Sequence, residues 1–215
     1  MQAFFESWYG QVITAVVAIL LILVGIGVSG SRSDESSSKK TKMLVYSAVA
    51  VAVATVLSFI KILKMPQGGS VTLFSMLPIA LIGYFYGPAQ GILCGMSYGL
   101  IQLILEPWVI SPVQLLVDYP LAFGALGLSG FFWKREDGLL TGYAVGCAGR
   151  LVMAVISGVA FFAEYAADWN MNPIAYSFAY NIAYIGAEAL ITIVVFMAVS
   201  PLKQAIERIK TMARS

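Results

Sequence analysis

Apolar residues run through this chain in long blocks, cut by short polar or Pro/Gly interruptions. A helix needs about 20 apolar residues to cross a bilayer. The pattern predicts one crossing at 12–28 and six more at roughly 43–63, 71–86, 88–106, 112–132, 139–163 and 173–199. The breaks carry turn signals of their own: KMPQGGS at 64–70, Gly87-Pro88, Glu106-Pro107-Trp108 followed by Ser111-Pro112, charged KRED at 134–137, and AADWNMNP at 166–173. The stretch GSRSDESSSKKTK at 30–42 holds no apolar residue and reads as a flexible charged linker. The tail LKQAIERIKTMARS reads as an amphipathic basic helix at the membrane surface. The organisation expected is therefore an extra amino-terminal transmembrane helix (1–29), the linker (30–42), a six-helix membrane domain (43–200) and a basic cytoplasmic tail (201–215).

Composition agrees with an integral membrane protein: 60% of residues are hydrophobic and 11% charged, against about 25% charged in a soluble domain. The net charge of +2 implies no nucleic-acid partner. With no histidine, histidine metal sites, Ser–His–Asp triads and histidine proton relays are excluded. Cys94 and Cys147 lie in apolar runs and read as small core residues. The leading MQAFFESWYG lacks Lys and Arg, unlike a signal peptide, so a retained first helix is expected. Lys39, Lys40, Lys42, Lys134, Arg135, Lys203, Arg208, Lys210 and Arg214 fall on one face, taken as cytoplasmic. Lys61 and Lys64 oppose that rule weakly. The chain then starts outside, and loops 64–70, 106–111 and 164–172, rich in Trp, Tyr, Gly and Pro, form the outer recognition face. Gly87, Gly91, Gly95 and Gly99 make a four-residue stripe on which another helix can pack closely.

Polar residues at membrane depth carry the chemistry. At 1.5 Å per residue, Asp118 lies roughly 9 Å in from the outer end of its helix, Gly158 about 8 Å, Ala154 about 13 Å, Tyr176 about 5 Å and Asn181 about 12 Å, while Arg150 and Glu188 lie about 20 and 22 Å in. Two layers result. The upper holds Asp118, Tyr119, Gly158, Tyr176 and Asn181. The lower holds Arg150 and Glu188, either a self-neutralising structural ion pair or groups open to a ligand. Asn181, Tyr184 and Glu188 share one helical face, as do Arg150, Ala154 and Gly158, so the two helices are expected to face each other. A carboxylate among aromatic faces, with Trp108, Phe161, Phe162 and Trp169 nearby, suits a flat organic cation. No nucleophile–base pair, metal cluster, Walker sequence or dinucleotide fingerprint is present in the sequence, so neither a catalytic residue nor a cofactor is expected.

Four segments, LKMPQGGSVTLFSMLPI (63–79), SPVQLLVDYPLAFGALGLSG (111–130), GRLVMAVISGVAFFAEYA (149–166) and PIAYSFAYN (173–181), closely resemble the thiamine-specific S component of energy-coupling factor transporters, the ThiT family. The resemblance covers about 43–200. It implies an all-α, six-helix S-component bundle that binds the vitamin near the outer face under a lid loop, here 64–71. It also implies no ATP site, and partnership with a transmembrane coupling subunit and two ATPase subunits. By the same resemblance, Asp118 falls at the acidic position that contacts thiamine, followed by Tyr119. Tyr176 and Asn181 hold the pyrimidine end, Gly158 matches the glycine of a Ser/Ala-Gly stretch, and Phe162 and Trp108 fall at aromatic positions. Arg150 falls at a basic position that meets the hydroxyl or phosphate end. Ala48 and Ala52 match a small-residue pair that docks the coupling subunit, with Ala50 and Ala54 offering the same spacing. Ala154 is a departure, since the family commonly has histidine there. The extra first helix is another.

The expected function is thus a high-affinity thiamine-binding subunit of a vitamin uptake transporter in the cell membrane. The alternatives are an S component for a related vitamin or a precursor such as hydroxymethylpyrimidine, an intramembrane enzyme using Asp118 with Glu188, and a purely structural membrane subunit. The estimated depths of Asp118 and Glu188 differ by more than about 10 Å, which disfavours the enzyme.

Overall fold

A computed structural model describes residues 37–215; the predicted first crossing at 12–28 and most of the linker lie outside the described residues. Helix α1 spans Ser37–Ser58. Residues 37–42, expected in the linker, form its first turns, since lysine is a good helix former and the stretch holds no Gly or Pro. The helix also stops earlier than expected. Lys61–Lys64 is a strand, β1, paired antiparallel with β2 at Ser70–Thr72, with Leu63 opposite Val71 and Lys64 opposite Ser70. Gly68 and Gly69 take φ of +87° and +80° at the turn, a conformation open to glycine at little cost.

The remaining helices are α2 (Met76–Tyr86), α3 (Pro88–Leu105), α4 (Pro112–Phe132), α5 (Gly138–Phe161), α6 (Pro173–Ala198) and α7 (Ser200–Arg214). The apolar run at 71–75, predicted as helix, instead forms β2 and a turn. Among the described residues five helices, α1 and α3 to α6, are long and apolar enough to span a membrane, and α2 is a shorter apolar helix. Among the described residues the fold is a helical membrane bundle with one small hairpin.

The core is unusually rich in tyrosine: Tyr84, Tyr98 and Tyr143 are fully buried beside Met76, Ile79, Ile82 and Leu126. Each hydroxyl finds an acceptor, as burial requires. Tyr98 donates to Ala54 O (3.3 Å), Tyr143 to Thr192 Oγ1 (3.1 Å) and Tyr84 to Glu207 Oε1 (2.7 Å). The glycine stripe packs α3 on α4: a side-chain carbon on Gly95 or Gly99 would strike the carbonyl of Phe123 or Tyr119. The stripe therefore sets how α4, the Asp118 helix, lies against the bundle. On α1, Ala50 and Ala54 face inward and are buried, while Ala48 and Ala52 face outward among exposed Val45, Val49, Val53 and Val56. The inward pair is thereby removed as a docking surface.

Candidate functional site

Two spanning helices are distorted where polar side chains cluster. In α4 the backbone widens into a π turn over Val117–Leu121, which holds Pro120. Proline has no N–H to donate and crowds the preceding turn, so a wider turn relieves the clash. In α6 a second π turn spans Ile182–Gly186, directly after Asn181. Asp118 and Tyr119 project from the first, and Tyr184 from the second, into one cavity of about 200 Å³.

All eight ligand residues expected from the sequence line this cavity: Trp108, Asp118, Tyr119, Arg150, Gly158, Phe162, Tyr176 and Asn181. Ala154 lines it too. The hairpin turn closes one side. Tyr176 donates its hydroxyl to Gln67 Oε1 (2.6 Å), and Tyr180 accepts from Gln67 N (2.9 Å) and donates to Gly68 O (2.8 Å). Tyr176, Tyr180 and Tyr184 recur every fourth residue, their rings 5.9 and 6.2 Å apart in sequence. Gly69 rests on the last ring, where an added side-chain carbon would come within 2.9 Å of Tyr184 Cζ. Lys61 and Glu106 form an ion pair at the cavity wall, which removes Lys61 as an unpaired charge on that side.

Asp118 is half-buried. Its Oδ2 accepts from Gln114 Nε2 at 2.5 Å; Oδ1 has no hydrogen bond among the described residues. Gln114 is buried and fully used: its other amide hydrogen goes to Trp108 O (2.9 Å), and its Oε1 accepts from Ile110 N (3.1 Å). The carboxylate is thus tied to the loop that carries Trp108. Tyr119 holds the same loop, accepting from Trp108 N and donating to Glu106 O, both at 2.8 Å. Beside Asp118 lies the Ser157 hydroxyl. It is 1% exposed and, among the described residues, the one buried side-chain polar atom without a hydrogen-bond partner. Such an orphan costs about 1–3 kcal/mol.

Arg150 and Glu188 do not pair. Among the described residues no ion pair joins them. Glu188 is 3% exposed and collects Thr72 N (3.0 Å), Thr72 Oγ1 (2.6 Å), Ser75 Oγ (3.2 Å) and Met76 N (3.1 Å). It anchors the base of the hairpin and the first turn of α2, whose free amides attract a carboxylate. Equal depth placed the two residues at one level but left their directions open. The Arg150 guanidinium lies 4.1 Å from the centre of the Phe123 ring and makes no hydrogen bond among the described residues.

The stripes on α5 and α6 meet as expected. Ser177 Oγ donates to Val155 O (3.0 Å), and Asn181 Nδ2 donates to Ser177 O (2.8 Å) and Ala154 O (3.3 Å). Tyr184 donates to Asn181 Oδ1 (2.9 Å). Asn181 therefore links the Tyr184 hydroxyl to the backbone carbonyl of Ala154. At the rim, Phe162 stacks on Tyr165 with ring centres 6.1 Å apart and 14° between planes.

The family model described as thiamine transporter protein matches residues 44–207. The chain belongs to this family. Two curated relatives are named thiamine transporter ThiT. The one from Bacillus subtilis is 35% identical over 147 residues, 62% of this chain and 76% of the relative. The one from Lacticaseibacillus paracasei is 29% identical over 143 residues, 59% and 69% of the two chains. A solved structure of ThiT from Listeria monocytogenes shares the fold, with a TM-score of 0.61 at 22% identity, covering 77% of this chain and 98% of that one. The family is one of transporters, not of enzymes.

Gln114, Ser157 and Tyr180 were not singled out from the sequence. Gln114 lies four residues before Asp118 and Tyr180 four after Tyr176, so helical spacing held a signal for both. Ser157 offered none, because its lack of a partner depends on what α4 and α6 leave unoccupied.

Proposed function

We propose that this chain is the thiamine-capturing membrane subunit of an energy-coupling factor transporter and depends on a separate ATPase module for transport. One observation carries the reading: a single cavity gathers all eight expected residues, and its carboxylate keeps an open oxygen among aromatic walls. Thiamine has matching chemistry, a cationic thiazolium joined to an aminopyrimidine. Asp118 offsets the positive charge or accepts from the amine, while Trp108, Phe162 and the tyrosines supply ring faces. Arg150, with its hydrogen-bond donors unspent, meets the hydroxyl or phosphate end. Asn181 and Tyr119, whose polar atoms are engaged within the protein, shape the pocket.

Loading would close the hairpin over the vitamin at the outer face of the cell membrane. The loaded subunit would then present the outward small-residue face of α1, Ala48 and Ala52, to a coupling subunit bearing two ATPases. The basic end with α7 would lie in the cytoplasm. Titration of the purified protein with thiamine, followed by intrinsic tryptophan fluorescence, tests capture. Saturable quenching at or below micromolar thiamine is expected; no binding at micromolar ligand removes the reading. Ala154 favours one second reading, a related vitamin or a thiamine precursor. Competition among thiamine, its phosphates, hydroxymethylpyrimidine and riboflavin separates the two.

A further inference from the structure

We propose that Ser157 is a ligand-binding residue, and that the Asp118–Ser157 pair reads the aminopyrimidine edge, the carboxylate accepting from the exocyclic amine and the hydroxyl donating to the adjacent ring nitrogen. This rests on the thiamine reading above.

Three observations converge. First, the Ser157 hydroxyl is buried, unpartnered and on the cavity wall, a costly arrangement unless a ligand completes it. Second, apart from the Asp118 carboxylate itself, the protein offers it no ready partner. The neighbouring Ser177 hydroxyl is committed to Val155 O and the Asn181 amide to Ala154 O and Ser177 O. At Gly158 an added side-chain carbon would collide with Ser177 Oγ, so α5 and α6 touch there, while Ser157 lies on the cavity wall beside Asp118 of α4. Third, the pair has the right chemistry. Gln114 occupies Oδ2 of Asp118, leaving Oδ1 to accept, and the free hydroxyl beside it can donate. A 4-aminopyrimidine presents an N–H donor and a ring-nitrogen acceptor side by side, which this edge complements.

A ligand contact and a structural contact differ in sign. Replacing Ser157 by Ala removes an unsatisfied hydroxyl, so the ligand-free protein should hold or gain stability while binding weakens. A structural hydroxyl would lose both. The experiment uses the wild type and Ser157→Ala in detergent. Each is melted without ligand, then titrated with thiamine and with the thiamine analogue whose ring nitrogen beside the amino-bearing carbon is C–H. The wild type should prefer thiamine about tenfold. Ser157→Ala should bind thiamine about tenfold more weakly, bind the two ligands alike, and melt no lower than wild type. Wild-type thiamine affinity in Ser157→Ala, a retained tenfold preference, or a lower ligand-free melting temperature each overturns the assignment. Wild type that binds no thiamine overturns this and the thiamine reading together, which distinguishes the two failures.

Discussion

Asp118 and Glu188 are both carboxylates in apolar helices, and both line the same cavity. Their surroundings differ in kind. Glu188 receives two backbone amides and two hydroxyls and is 3% exposed, so its lone pairs are spent on the protein. Asp118 receives one side-chain amide and keeps an oxygen open to the cavity. A charge at membrane depth must be compensated. Here one is compensated by the fold, and the other keeps bonding capacity toward the cavity. The number of donors, rather than depth, separates a carboxylate that builds the site from one that uses it.

That contrast breaks most visibly at Glu188. Glu188→Ala strands the amides of Thr72 and Met76 and the hydroxyls around them, and should cost about 3 kcal/mol of stability, read as a melting temperature lower by roughly 5–10 °C. A variant that melts like wild type would mean that these bonds do not hold the hairpin base. Asp118→Ala should do the reverse. Its one hydrogen-bonded neighbour among the described residues, Gln114, keeps its bonds to Trp108 O and Ile110 N, so ligand-free melting should move little. Thiamine affinity should fall more than tenfold, because a charge-assisted contact is lost. Unchanged affinity would take Asp118 out of the site.

The same contrast shows what the sequence could carry. Helix order, most boundaries and eight of the residues that line the cavity were legible, because membrane spans and Pro/Gly breaks are local signals. The hairpin was not. KILK at 61–64 continues an apolar run, and only its partner Ser70–Thr72, across two positive-φ glycines, makes it a strand. The supposed Arg150–Glu188 pair failed for a related reason. Rise per residue gives depth along a helix, whereas contact also needs the direction each side chain faces. Glu188 turns to the hairpin and Arg150 to Phe123.

Between base and tip, the hairpin permits a subtler test. Glu188 fixes its base, while Gln67 latches its tip to Tyr176 and Tyr180. Gln67→Ala deletes the side-chain bond to Tyr176 and leaves the backbone bond to Tyr180. Losing about 1 kcal/mol from a closed lid should speed thiamine release about fivefold in stopped-flow fluorescence, with little change in the association rate. Equal release rates would show that the tip does not restrain the ligand.

A third carboxylate sets the lower bound. Asp137, exposed at the opposite end, accepts from Lys203 at 2.7 Å and has neither a buried site nor a cavity. The Lys203 ammonium holds the Asp137 carboxyl below its ordinary range, and the carboxylate raises Lys203 in turn. The signs follow from linkage. The lowered acid contributes stability at pH above its unfolded value, lost as pH falls through the folded one. The raised lysine contributes below its unfolded value, lost as pH rises through the folded one. Between about pH 5 and 9 both contributions are constant, and solvent screens the pair. Asp137→Asn should therefore leave melting temperature and thiamine affinity indistinguishable from wild type across that range. A clear loss would mean that the contact between loop 134–137 and α7 does more than join two solvated charges, and that counting donors underrates carboxylates at this end of the bundle.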